Sequence, residues 1–173
     1  MWILTRNGIS RFDGLEFTNY FRKDGLPSNL VNRILEDHQG TVWALTLEGL
    51  SEYTGYGFRF FPYPERSFSE NFVYACSLGD SIALILKNLA SGRNRMISFR
   101  SGVYTDYSDK YDGFSHLNVV TFLPDRNSGD FVILDSVGNL WFILTAGRSR
   151  RLIILYYHLI SLTANRICGW DRR

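Results

Sequence analysis

Trp2–Tyr20 reads WILTRNGISRFDGLEFTNY, and 41 positions later Trp43–Phe61 reads WALTLEGLSEYTGYGFRFF. Trp2, Thr5, Gly8, Ser10, Gly14 and Phe17 return as Trp43, Thr46, Gly49, Ser51, Gly55 and Phe58. Ile9, Phe12 and Tyr20 return as Leu50, Tyr53 and Phe61, so nine positions match at one offset. The unit reads as four strands: Trp2–Thr5, Ile9–Phe12, Glu16–Phe21 and Leu30–Glu36. Turns at Arg6–Gly8 and Asp13-Gly14 and a loop at Lys23–Asn29 separate them. Asp-Gly between alternating apolar residues signals a hairpin, because glycine takes positive φ without a steric penalty. A period of 40 to 50 residues with several short strands per unit is the signature of a β-propeller, in which each repeat is one four-stranded blade. The expected fold is therefore all-β, a propeller of antiparallel blades.

The repeat continues along the chain. A second unit runs from Thr41 to about Asp80, with Ala75 standing where Ile34 stood. In the third, Gly14, Asp24, Gly25, Val31 and Asp37 reappear 88 residues on as Gly102, Asp112, Gly113, Val119 and Asp125. That offset contains six extra residues, placed at a hairpin tip within Lys87–Asn94, where a repeat fold tolerates insertion. A fourth unit starts at Phe131 and ends with Ala164–Cys168, where Asn165-Arg166-Ile167 repeats Asn32-Arg33-Ile34. Asp135–Trp141 has the shape of Asp37–Trp43, but the 88-residue offset puts Trp141 in the second strand of its unit. The blades are thus expected at about 1–40, 41–80, 81–130 and 131–173, each starting on its inner strand. An open arc would leave blade faces in water. The natural ring is therefore expected to hold more than these four blades, seven being the expected total.

Composition excludes several classes. The chain is 45% hydrophobic, enough for a sizeable core, and its net charge of +2 creates no field to attract nucleic acid or an anionic membrane. The longest apolar candidate, Leu152–Leu162, is too short to span a bilayer and is interrupted by His158. The chain opens inside a repeat, so a removed signal or an excerpt of a longer polypeptide is expected. Cys76 and Cys168 lie in no metal-binding or redox pattern and are expected as small buried strand residues; no metal or cofactor is implied.

Trp2-Ile-Leu-Thr5, Gly8-Ile-Ser-Arg-Phe-Asp-Gly14, Phe17, Tyr20, Asp24-Gly-Leu-Pro-Ser-Asn29, Val31, Ile34 and Glu36-Asp37 resemble the two-component regulator propeller repeat. The likeness is specific over residues 1–61 and thins to Gly102, Asp112-Gly113 and Asp125 in the third unit. It departs at Leu4 and Leu45, where the repeat usually has glycine. The resemblance implies a sensory module on the periplasmic or extracellular side of a bacterial membrane. It implies further blades, a downstream immunoglobulin-like domain, a membrane helix and a histidine kinase or diguanylate cyclase, with a homodimer as the default. Carbohydrate or another small extracellular ligand is the implied partner. A protein-binding scaffold or adhesion propeller is the alternative, and a propeller glycosidase or lyase is remote.

The recurring residues Trp2, Trp43, Gly8, Gly49, Gly14, Gly55, Gly102, Asp24 and Asp112 read as structural, since a residue that returns once per blade packs blades together. Asp13, Asp24, Asp37 and Asp112 sit in turns, where aspartate is preferred for its own backbone hydrogen bonds, so no active site is expected. Arg148, Arg150 and Arg151 amount to one hairpin tip. Ligand residues are sought where loops break the repeat. His38, Gln39, Thr54, Tyr56, Asp125, Arg126 and Asn127 are expected together on the face built by the outer-to-inner connections and the second-to-third turns.

Overall fold

Short turns between apolar runs give hairpins, and the computed structural model shows them joined into four antiparallel meanders. It describes residues 1–64, 69–78, 80–108, 114–124, 131–138, 140–143 and 152–155. The first sheet has three strands, β1 (Trp2–Thr5), β2 (Gly8–Phe12) and β3 (Phe17–Tyr20). The second is β4 (Val31–Glu36), β5 (Val42–Thr46), β6 (Gly49–Tyr53) and β7 (Phe58–Pro62). The third is β8 (Glu70–Leu78), β9 (Ser81–Asn88), β10 (Asn94–Arg100) and β11 (Val103–Asp106). The fourth is β12 (Val119–Pro124), β13 (Phe131–Asp135), β14 (Leu140–Ile143) and β15 (Leu152–Leu155). Strand order follows the chain in every sheet, and β1, β4, β8 and β12 lie successively against one another.

The blade boundaries differ from the expected ones by one strand. Val31–Glu36, read as closing the first unit, pairs with β5, with Ile34 opposite Ala44 and Glu36 opposite Val42. It opens the second sheet instead. The same shift makes β8 and β12 first strands, and β1 is the equivalent of β5, a second strand. The cuts at 40, 80 and 130 therefore fall within hairpins or connections rather than between sheets. The register slips between Val31 and Arg33, between Phe72 and Tyr74 and between Val119 and Thr121, a bulge at the same place in each first strand. The expected insertion lies where the sequence put it: β9 and β10 are long and joined through Leu89–Arg93, against the two residues Leu47-Glu48 between β5 and β6. Trp141 lies on β14, the third strand of its sheet, so the Asp135 turn is not equivalent to the Asp37 turn. Ala164–Cys168, Asp112 and Gly113 lie outside the described residues.

Alternate residues of each strand face opposite sides of the sheet, and the sheets stack on three apolar layers. Ile9 and Tyr20 of the first sheet meet Ala44 and Phe58 of the second around Leu26. Trp43, Leu45 and Leu50 of the second meet Ile82, Leu84, Ile97 and Phe99 of the third. Ala83, Ile85 and Met96 of the third meet Phe122 and Ile133 of the fourth around Phe114 and Leu117. Cys76, half-buried on β8, has its thiol pushed up to about 12 by burial, so it behaves as an inert strand residue.

Residues 21–30, which carry the DGLPSN motif, connect the first sheet to the second. The Asp24 carboxylate accepts the Phe21 N–H at 2.9 Å and closes a 3-10 turn, Arg22–Asp24. Leu26 is buried between the two sheets. Asn29 ties the loop back: its carbonyl accepts the Gly8 N–H at 2.8 Å, and its amide donates to Asn7 Oδ1 at 2.8 Å.

Candidate ligand-binding cleft between the second and third sheets

The second and third sheets separate at one end and enclose a cleft of about 550 Å³. Its floor is aromatic. Trp43 meets Phe99 edge to face at 5.4 Å and Phe61 at 5.9 Å, and Phe61 meets Phe99 at 5.1 Å. Tyr104 fastens the sheets beneath it, donating its hydroxyl to the Phe61 carbonyl at 2.8 Å and accepting the Leu50 N–H at 3.1 Å. Burial pushes that hydroxyl up to about 12, so it stays protonated as a donor.

The walls are charged. Arg59 on β7 pairs with Glu52 on β6 and stands over the Phe61 ring at 5.1 Å. From the third sheet, Arg100 donates to Asp80 at 2.7 Å. His38 reaches across from the second sheet, its Nε2 3.4 Å from the other Asp80 oxygen. Gln39, Thr41, Ser81 and Ser101 complete the rim.

Asp37 holds this edge of the second sheet in shape. Its Oδ1 accepts the Gln39 and Thr41 N–H groups at 2.9 Å each, and its Oδ2 accepts the Trp43 indole N–H at 2.9 Å. Partial burial works to raise its pKa, but the hydrogen bonds from Trp43, Thr41 and Gln39 outweigh it, so the carboxyl titrates below its usual range. A depressed folded-state pKa contributes stability that is present above the unfolded carboxylate value, about 3.9, and is lost as pH falls through the folded value. Asp37→Asn is therefore expected to destabilise the chain by about 1 kcal/mol at pH 7, because its amide would turn a donor toward the indole N–H. Its stability should also fall less steeply below about pH 4 than that of the wild type. Urea unfolding at pH 7 and at pH 3 measures both.

The expected site residues divide. His38 and Gln39 line the cleft. Tyr56 stands 96% exposed at the tip of the β6–β7 turn and is not part of the cleft lining, while the Thr54 hydroxyl donates to Gly57 O at 3.1 Å within that turn. Asp125, Arg126 and Asn127 lie outside the described residues. The face also differs. His38 and Gln39 belong to a first-to-second turn, and Tyr56 to a third-to-fourth turn, at the end opposite the one expected. In an antiparallel meander successive turns alternate ends, so moving the blade boundary by one strand exchanges the faces.

Glu52, Arg59, Asp80 and Arg100 were not singled out by sequence. The signal for the first two was present on strands rather than in loops, since Glu52 stands where the first unit has Arg11 and Arg59 where it has Thr18. The turn carboxylates Asp13 and Asp24 are engaged by backbone N–H groups, Asp13 accepting those of Leu15 at 2.8 Å and Glu16 at 2.9 Å. The Glu16 and Leu15 N–H groups hold the Asp13 carboxyl below its usual range, unlike a general acid, whose proton must be retained near neutrality. Among the described residues no cluster of three or more His, Cys, Asp or Glu could hold a metal, and no helix is long and apolar enough to cross a membrane.

Sequential antiparallel meanders, one of three strands and three of four, packed face to face with β1, β4, β8 and β12 side by side, define a β-propeller segment. Residues 25–48, from the DGLPSN loop through β4 and β5, match the two component regulator propeller family. The fold is shared with two solved structures of the extracellular domain of BT4673 from B. thetaiotaomicron. One is described as part of a one component system (TM-score 0.66, 18% identity) and the other as part of a hybrid two component system (TM-score 0.65, 15% identity). Each match covers 95% of this chain and 22% of the other, so the chain spans about a fifth of the length of those domains. No curated protein matches the chain.

Proposed function

We propose that this chain is a ligand-sensing part of a bacterial extracytoplasmic receptor and performs no chemistry of its own. The observation that carries this reading is the cleft between the second and third sheets, whose walls come from two blades. A ligand held there contacts both sheets, so its binding energy acts on the angle between them, and a difference in affinity for two angles is what shifts a conformational equilibrium. The family match at residues 25–48 and the fold shared with extracellular domains of one- and two-component systems support a receptor context. In that context the remaining blades and an immunoglobulin-like domain pass the rearrangement to an effector across the membrane, in a homodimer.

Thermal shift of the 173-residue chain against a panel of small polar solutes tests the reading. We expect His38→Ala and Arg100→Ala to abolish the shift given by a hit while leaving the unliganded melting temperature within about 2 °C, since both side chains are largely exposed. Tyr56→Ala should leave the shift intact. Shifts that survive in the first two variants and vanish in the third would move the site away from this cleft.

A further inference from the structure

The cleft has a sister slot one blade earlier, and that slot is already filled. Between the first and second sheets, Arg11 projects from β2 opposite Trp2 on β1. Its guanidinium lies 5.8 Å from the Trp2 ring and 5.7 Å from the Tyr53 ring, and Nη1 donates to Tyr53 Oη at 3.0 Å. Tyr20 and Tyr53 join their hydroxyls at 2.9 Å, and the Tyr53 hydroxyl donates to the Gly55 carbonyl at 2.5 Å. Trp2 and Tyr53 meet edge to face at 4.7 Å, as Trp43 and Phe99 do one blade on at 5.4 Å.

In the second slot the residue opposite the tryptophan is Glu52, paired across the strands with Trp43 as Arg11 is with Trp2. The aromatic frame is kept, the built-in cation is replaced by a carboxylate, and the space opens as the cleft. Arg59 answers Glu52 only from the rim, with a side chain 63% exposed. Among the charged groups of the lining, Glu52 is paired with Arg59 and Asp80 with Arg100, while the Asp37 carboxylate is taken up by Gln39, Thr41 and Trp43.

Resting on the reading of the cleft as a ligand site, we propose that it receives a small ligand bearing a guanidinium or primary ammonium group, which occupies beside Trp43 and Phe99 the place that Arg11 takes beside Trp2 and Tyr53. The cation pairs with Glu52 and lies against aromatic faces, whose negative quadrupole attracts it. The remainder of the ligand extends between Arg59 and Arg100 toward His38. The cleft volume suits a molecule of amino-acid to dipeptide size. Arg59 is then a competitor that the ligand displaces from Glu52.

Isothermal titration of the full chain with agmatine, maltose and galacturonate tests the proposal. Agmatine is expected to bind one to one, more weakly as salt rises. Glu52→Gln should weaken it about tenfold or more, the worth of a hydrogen bond to a charged group. Arg59→Ala should tighten it about two- to fivefold by freeing Glu52 from an exposed ion pair. The second variant removes a mostly exposed side chain and keeps the test valid if the first misfolds. Binding of maltose or galacturonate without agmatine would overturn the cationic assignment and leave the cleft reading standing. Agmatine affinity unchanged in both variants would overturn the assignment too, and silence with all three probes would remove both.

Discussion

Gly25→Ala is expected to destabilise the chain by about 3 kcal/mol, lowering the melting temperature by on the order of 10 °C. Gly25 ends the 3-10 turn of the first connection with φ +98°, a region where an L side chain costs about 1–2 kcal/mol. Space adds a second cost. A Cβ at Gly25 would stand 1.9 Å from the Phe58 carbonyl oxygen and 2.9 Å from its carbon, both backbone atoms of β7. The close approach is mutual, because a Cβ on Gly57 would meet the Asp24 carbonyl oxygen at 2.6 Å. The connection and the neighbouring sheet thus touch backbone to backbone, and neither can yield as a flexible side chain would. Gly14 is the internal control. Its φ is +113°, but nothing lies within 4 Å of its Cβ position, so Gly14→Ala should cost only the backbone share, about 1–2 kcal/mol. Urea unfolding of both variants separates strain from collision. Equal losses would show that the connection relaxes away from β7.

The fold was legible because a repeat compares the chain with itself. Trp2 and Trp43, or Gly8 and Gly49, fall on matching strand positions whatever the blade boundaries are. The same property hid the boundaries, since a period gives the spacing of units and is silent about where one begins. Connection length carried the missing signal. Asp37–Thr41 links Glu36 to Val42 through five residues, a hairpin length, whereas Phe21–Leu30 is twice as long. The shorter link marks the pair that shares a sheet. The cleft was less legible because charged residues at strand positions, such as Glu52 and Arg59, read as a solvated face. Their meaning appears only when Arg11 is seen filling the equivalent slot.

The two inter-sheet slots also differ in the polar groups that cross them. Between the first and second sheets, Arg11, Tyr20 and Tyr53 form a continuous hydrogen-bonded chain ending on the Gly55 carbonyl. The Tyr53 and Tyr20 oxygens raise the Arg11 pKa further, so this cation is permanent. Between the second and third sheets, the mouth is crossed by the His38–Asp80–Arg100 group, whose members are all about half exposed. Exposed ion pairs contribute about 0–1 kcal/mol each. The polar link across the first junction is thus one cation with two phenols, whereas the link across the mouth of the second is a group of exposed charges lying above the Tyr104 bonds that fasten the second and third sheets.

Trp43→Ala is expected to have the other large effect, about 3–5 kcal/mol, the range for truncating a buried aromatic side chain. Trp43 is 9% exposed and touches three elements: its own sheet through Phe61, the third sheet through Phe99, and the β4–β5 turn through the indole bond to Asp37. Truncation leaves a void between two sheets that cannot collapse while Tyr104 holds their backbones at Phe61 and Leu50. It also deprives the Asp37 carboxylate of one donor. Trp43→Phe resolves the two contributions, since it keeps a ring against Phe99 and removes only the indole N–H, for an expected cost of about 1 kcal/mol. Trp2→Ala provides the comparison across the blade. Trp2 is only half-buried, so its truncation should cost less than that of Trp43. The cleft gives Trp43 a second readout. If it forms the floor on which a cation rests, Trp43→Phe should retain agmatine binding with about two- to fivefold weaker affinity, because phenylalanine presents a weaker quadrupole than tryptophan. A Trp43→Phe variant as stable as the wild type would show that the anchor at Asp37 adds nothing to the packing.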